Sequence, residues 1–436
     1  MQKYIEKEVC VMNRWFKLDN AAKIFPSVTS TKNSSVYRMS AVLTEEINPQ
    51  ILQKAVDCIY DRYPTMFVRL RRGVFWNYLD SNINRFYVTQ ETDYPCGDIN
   101  PRNNNGFMIK VLYYKCKISI EVFHSLADGG GAIEFLKSIL FYYLQFSGKD
   151  VDDEGKVILA NPPASQADVE DAFLHYYNHD AQKTEVQKKA YRIKGNLFQS
   201  YGVNVISGIT DAKKLNAAAK SHNTTITGYV TSALIYSIYQ SRQKFENNNH
   251  PIVVTVPVSL RKTFPSRTLR NFFVTANVGM VVQPNSTFED VVNAITEELK
   301  KQTQKEYLDG LIANNVKIEK NFAAKVVPLF IKNIFMPLGF NFFGEIKKTI
   351  TVSNLGNIVL PESIKPFVKK TEVILYPTQK SPINCGLCST NNVLSITFAR
   401  TIEEKDIIRY FFTFLAENDN LDITVSTNDW GRNNDM

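Results

Sequence analysis

The chain has 436 residues, 44% hydrophobic and 22% charged, the balance of a soluble globular protein with a sizeable core, which argues against wholesale disorder. At about 150 residues per domain this length suggests two or three units. Fifty-one Lys and Arg against 43 Asp and Glu leave a net charge of +8, a mild bias that suits an anionic ligand such as a phosphorylated cofactor and is too diffuse for a nucleic-acid specialist.

The opening residues, MQKYIEKEVCVMNRWFKL, hold no apolar run suited to a signal peptide. No window offers about twenty apolar residues in a row. The nearest approach, Phe322 to Gly344, is interrupted by Lys325, Pro328, Lys332 and Pro337, so it reads as a helical segment packed in or on the protein. Six scattered cysteines without a secretory signal predict a reduced, cytoplasmic protein.

In chain order, Val36 to Leu43 reads as a strand. Asn48 then caps a helix with Pro49 at its first position and apolar residues at Ile51, Leu52, Ala55, Val56, Ile59 and Tyr60. Phe107 to Tyr114 and Lys117 to Phe123 are two further strands. In the second, Ile118, Ile120 and Val122 share one face, and His124 has the same parity. Ile133, Leu136, Leu140 and Leu144 then recur at helical spacing. From Gly148 to Gly195 the chain turns to Gly, Pro and mixed charge, which places a linker at 161–195 between a front lobe, 1–160, and a back lobe, 196–436.

The back lobe opens with helices from Asp211 to Ser221 and Ile226 to Tyr239. Strands follow at Ile252 to Val256, Ala276 to Val282, Thr349 to Ser353, Glu372 to Tyr376 and Val393 to Phe398. Thr401 is expected to cap a helix from Ile402 to Glu417, with Glu403 and Glu404 in its first turn. Strands and helices alternate in both halves, so the class is mixed α/β in two lobes.

The run Glu121-Val-Phe-His-Ser-Leu-Ala-Asp-Gly-Gly-Gly131 carries the most information. A strand delivers a histidine, an aspartate follows four residues later, and three glycines lead into a helix. Neutral imidazole is a good base near neutral pH. The carboxylate after a tight turn would fix the loop or orient its neighbours, and the glycines allow close approach. A histidine–aspartate pair at this spacing, followed by glycine, arises by chance in roughly one chain in a hundred of this composition. A buried histidine satisfied by its own loop is the other reading of the spacing.

FHSLADGG resembles the H-x-x-x-D-G signature of the coenzyme A-dependent acyltransferase superfamily that includes chloramphenicol acetyltransferase and peptide-synthetase condensation domains, and is most similar to its stand-alone bacterial alcohol acetyltransferase-like members. Asn48 to Pro64, ending in Asp61-Arg-Tyr-Pro64, is similar to that superfamily's first helix. Val256-Pro-Val-Ser-Leu-Arg261 with Arg270-Asn-Phe-Phe273 resembles its P-x-x-x-R … N-F pattern, and Ser353-Asn-Leu-Gly356 a segment that lines its site.

The resemblance implies two chloramphenicol-acetyltransferase-like lobes with mixed sheets and a substrate tunnel between them. One face of the tunnel admits an acyl thioester and the other an acceptor. It implies His124 as general base, Asp128 as a structural carboxylate paired with Arg261, Gly129 and Asn271 as support, and Ser353 or Asn354 as oxyanion donor. No cofactor is held permanently, and acyl-CoA is a co-substrate. Phe123 stands where condensation domains carry a second histidine, and no carrier domain is found, which favours a free-standing acyltransferase; the D-F-G-W-G motif of the plant members is also not found, so their substrates do not carry over.

The expected activity is acyl transfer from acyl-CoA to an alcohol. The alternatives are a carrier-protein-bound donor, an amine acceptor, or a catalytically silent protein that binds a small apolar ligand or a partner. Lys262 and Arg267 are candidates for the cofactor phosphates, with a solvated loop face as the other reading. Phe330 to Phe343 is either pocket lining or plain core. His175 and His179 are four apart, but Tyr176 stands where a metalloprotease motif needs Glu, and no metal is expected. Cys385 and Cys388 form a lone C-x-x-C and read as ordinary thiols.

Overall fold

The computed structural model describes residues 15–181, 188–198, 202–242, 249–321 and 325–428. The opening stretch 1–14, residues 182–187 of the linker, and Phe322 lie outside the described residues.

The first sheet is built around the His124 strand. Lys117–Phe123 pairs antiparallel with Val36–Leu43 on one side, Val36 opposite Phe123, and with Ile109–Tyr114 on the other. Helix Pro49–Ile59 packs against this sheet's core through Leu52, Ala55, Val56 and Ile59. Its start is fixed as the sequence predicts: the Asn48 side-chain oxygen accepts from the Gln50 and Ile51 N–H groups, and Pro49 needs no partner there.

The second sheet has seven described strands, in the spatial order Phe273–Met280, Ile252–Ser259, Ile350–Asn357, Ile383–Thr390, Val393–Arg400, Asn204–Asp211 and Thr424–Thr427. It mixes parallel with antiparallel pairs. Helices Ala212–Ser221 and Ile226–Gln240 stand where predicted, capped by Asp211 and Thr225. The last helix does not. It runs Asp406–Asp419, so Thr401 is not its cap, and Asp406 is the acid of its first turn. Residues 401–404 are used otherwise: Thr401 N–H donates to Pro382 O, Glu403 N–H donates to Asn196 O, and the Glu404 carboxylate accepts from Asn196.

Three features tie the lobes together. Strand Val368–Ile374, from the back half of the sequence, joins the first sheet by pairing with Val36–Leu43. Strand Ile383–Thr390 lies between the two cores, with Cys385 and Leu387 in one and Cys388 in the other. Burial pushes the Cys388 thiol up to about 12 and Cys385 higher still, the behaviour of inert core thiols. Within 161–195, Asp168 is buried and pairs with Arg62 of the front half at 3.2 Å, while its carbonyl accepts from Leu269 N–H of the back half at 2.9 Å. His175 ends the one-turn helix Ala172–His175, and the chain leaves that helix before His179, so the two share no helix face.

Among the described residues no helix is long and apolar enough to cross a membrane. Helix Leu329–Phe343 nevertheless exposes Phe330, Ile334, Leu338 and Phe342, a ridge at four-residue spacing. Met336 and Phe340, on its other side, line the cavity described next.

Candidate active site

His124 is the residue at which the first sheet ends. Its backbone N–H donates to Ser35 O at 2.9 Å, which continues the strand pairing one step beyond Phe123. The ring is held by aromatics. Phe25 stacks on it with centroids 4.5 Å apart, Tyr37 meets it edge-on at 5.0 Å, and Phe273 lies tilted at 5.4 Å. Its Nδ1 is 3.1 Å from Asn271 Oδ1, and the ring also hydrogen-bonds its own backbone. Burial pulls the imidazole below its ordinary pKa, opposed by the bond to its own backbone, then by Asp128, Asn271 and Asp19, so the ring is neutral at pH 7.

Asp128 does not touch the imidazole through a hydrogen bond. It caps helix Gly129–Phe146: Oδ1 accepts from Gly131 N–H at 3.1 Å, and Oδ2 accepts from Arg261 Nη1 and Phe272 N–H, both at 2.8 Å. Arg261 spends its other donors on carbonyls, Thr268 O at 3.0 and 3.1 Å and Arg270 O at 2.6 Å. One carboxylate and one guanidinium therefore staple the His124 loop to the loop before strand Phe273–Met280. The Tyr37 hydroxyl lies 3.0 Å from the carbonyl oxygens of both Ala127 and Asp128, and burial raises its pKa, so it remains a donor.

Glycine is needed most at Gly131, where a Cβ would run into the Leu269 carbonyl. At Gly129 a Cβ would meet the tip of the Leu355 side chain.

His124, Asp128, Gly129, Arg261, Lys262, Ser353 and Asn354 all line one cavity of about 740 Å³ between the lobes. A second cavity, about 520 Å³, shares Gly130, Ile133 and Arg261 with the first and carries Arg267. Lys262 and Arg267 thus face different spaces. The Asn354 amide is occupied, donating to Thr227 Oγ1 at 3.0 Å and accepting from Gly356 N–H at 2.8 Å. The Ser353 hydroxyl makes no hydrogen bond to the described protein.

Asn271 belongs to the site through His124. Asp19 does too, and sequence reasoning missed it. Asp19 is fully buried at the start of the front lobe; its Oδ2 faces Asn271 Nδ2 at 3.2 Å and Arg270 Nε at 3.5 Å, and its Oδ1 accepts from Ala22 N–H at 2.8 Å. Burial raises its pKa against the pull of Arg270 and of these donors. Phe25 was missed as well. Neither lies in a periodic or motif-like context that marks it.

No family model matches the chain, and no curated protein matches it by sequence. Solved structures do match by fold. Polyketide synthase associated protein 5 from Mycobacterium tuberculosis superposes with a TM-score of 0.61 at 15% identity, over 92% of this chain and 97% of that one. Trichothecene 15-O-acetyltransferase TRI3 from Fusarium sporotrichioides gives 0.59 at 11%, over 92% and 95%. TRI101 from F. graminearum, solved with ethyl coenzyme A, gives 0.58 at 9%, over 91% and 97%. The chain therefore has the two-lobed, chloramphenicol-acetyltransferase-like α/β fold of acyltransferases and condensation domains.

Proposed function

We propose that this protein is an acyltransferase that moves an acyl group, typically acetyl, from acyl-CoA to the hydroxyl of a small alcohol. The observation that carries this reading is a neutral histidine lining the cavity between the lobes, its ring held in place by Asn271 and by its own backbone. A protein that only binds ligand has no use for such a base, whereas proton removal from an attacking hydroxyl needs one. The fold shared with a trichothecene 15-O-acetyltransferase and with TRI101, which was solved with ethyl coenzyme A, agrees with it.

His124 accepts the acceptor's hydroxyl proton as the oxygen attacks the thioester carbonyl. The C–S bond breaks, and the imidazolium returns the proton to the departing thiolate. No covalent acyl-enzyme is required. The Ser353 hydroxyl, free of protein partners, is a better donor to the developing oxyanion than Asn354, whose amide is engaged. Asp128, Arg261, Gly129 and Asn271 hold the loop and the ring. Because Lys262 and Arg267 line different cavities, the charge-reversing variants Lys262→Glu and Arg267→Glu identify the donor's mouth: the one that raises KM for acyl-CoA marks where its phosphates enter.

The test is mass-spectrometric detection of free CoA and acylated product from acetyl-CoA with pooled alcohols and amines, wild type beside His124→Ala, both checked for fold by circular dichroism. Loss of general-base assistance is expected to lower turnover by about 10²–10⁴-fold. Turnover that survives His124→Ala would sink the mechanism. Absence of both turnover and acyl-CoA binding in the wild type would remove the CoA assignment and turn the search to carrier-bound donors.

A further inference from the structure

A helix on a protein surface ordinarily turns its apolar side chains in and its polar ones out. Helix Leu329–Phe343 largely reverses this. Lys332, only 6% exposed, is turned inward: its Nζ donates to Phe75 O at 2.8 Å and lies 3.7 Å over the Trp76 ring. Asn333 Oδ1 accepts from Ser27 Oγ at 2.8 Å. Phe330, Ile334, Phe335, Leu338 and Phe342 meanwhile face solvent, each half or more exposed.

The apolar surface continues onto the front lobe. Leu329 N–H donates to Val74 O at 2.8 Å, which sets the turn between strands Val68–Arg72 and Asn77–Ser81 beside the helix, and that turn exposes Val74 and Phe75. Exposed apolar residues are ordinary singly, whereas a group of them on two touching segments is the mark of an interaction surface. Its charge is of one sign. Residues 68–79 and 325–343 hold Arg69, Arg71, Arg72, Lys325 and Lys332, and no Asp or Glu. The acids next in sequence are already engaged: Asp80 by Arg69 at 2.8 Å and Arg71 at 3.4 Å, Glu319 by Lys23 at 2.5 Å, and buried Glu345 by Lys348 at 2.6 Å. Arg72 and Lys325 are exposed, with no ion pair to either among the described residues.

We propose that this ridge docks the protein on the surface of an anionic lipid bilayer. The aromatic and aliphatic tips enter the boundary of the acyl chains, and Arg72 and Lys325 lie among the headgroup phosphates. Two observations favour lipid over a protein partner. Side chains half or more exposed stand clear as a ridge, which a fluid surface accepts without a matching groove. The charges left open beside them are cations alone, complementary to anionic headgroups. The same helix walls the cavity through Met336 and Phe340, so docking sets that wall against the bilayer. The docking does not rest on the acyl-transfer reading.

Co-sedimentation with vesicles tests it, using phosphatidylcholine alone and phosphatidylcholine with about one-third phosphatidylglycerol. The wild type is expected to pellet with the anionic vesicles and to be released as salt is raised. Phe330→Ser with Phe342→Ser should lower the partition coefficient by at least about tenfold at unchanged Tm, since both side chains already stand in water. Arg72→Gln with Lys325→Gln should remove the preference for anionic over neutral vesicles. Failure of the wild type to bind anionic vesicles, equal binding to both kinds, or binding that survives loss of both phenylalanines would overturn the proposal. Self-association in sedimentation velocity, without vesicle binding and lost in the double phenylalanine variant, would give the ridge to a second copy of the chain instead. The readout uses no substrate: a chain that docks but transfers no acyl group keeps the docking and loses the proposed activity, and an active chain that does not dock does the reverse.

Discussion

Two side chains in the cavity lend themselves to single-residue tests. Since burial lowers the His124 pKa, the proposed base loses its lone pair only as pH falls through a value below about 6.5. The expected profile of kcat/KM is level through neutrality and falls on the acid side below that point; a fall already under way at pH 7 would contradict it. Ser353→Ala is expected to lower kcat by about 10²-fold with little change in Tm, because that hydroxyl has no protein partner to lose. Asn354→Ala should do the reverse, lowering Tm first, since it severs the links to Thr227 and Gly356. His124, Asp128 and Arg261 were legible because a short motif and a resemblance announce them. Asp19 was not: its partner is Asn271, some 250 positions away, and one sequence does not say which distant segments meet.

At the scale of the element, what decided legibility was whether one face is wet. Strand Val36–Leu43 and the helix after Asn48 were placed closely because cap, period and burial agree. Strand Ile383–Thr390 escaped notice because all eight of its residues are buried between the two cores, so it shows no alternation, and its Cys, Gly, Ser and Thr carry little strand signal. The final helix was started too early because Thr401 looks like a cap, yet tertiary partners claim residues 401–404 first. The glycines of helix Gly129–Phe146 allow a sharper test. Alanine normally stabilises a helix over glycine by about 1 kcal/mol, but Gly131→Ala is expected to destabilise by about 1–3 kcal/mol, because the Leu269 backbone cannot move aside. A urea melt decides the sign.

For the molecule as a whole, the contribution of strand Val368–Ile374 to the first sheet means that the two lobes are not separable along the sequence. A fragment ending at the linker leaves the edge of Val36–Leu43 unpaired and part of its core open. It is expected to aggregate or to melt without cooperativity, whereas the full chain should unfold in one main transition. Charge in that sheet adds to this dependence. Arg38 is buried between Glu121 at 2.8 Å and Glu91 at 2.6 Å, so Glu121→Ala leaves it a single carboxylate and the Cys96 N–H without its acceptor, and should cost about 2–3 kcal/mol. Calorimetry of that variant checks the figure. The two-lobed class was legible from alternating elements, but the exchange of a strand between lobes was not, since composition marks a boundary without saying which strands cross it.

The ridge on helix Leu329–Phe343 has a bearing on how assays should be run. Phe330 and Phe342 are 69% and 64% exposed, and the helix that carries them also walls the cavity. An oily surface beside an entrance adsorbs amphiphiles, so long-chain thioesters will accumulate there at concentrations where acetyl-CoA remains in bulk solution. Apparent affinities for long chains will then mix partitioning with recognition. A nonionic detergent held just below micelle formation should raise the apparent KM for long-chain donors and leave that for acetyl-CoA unchanged; equal shifts for both would show that the ridge takes no part in loading.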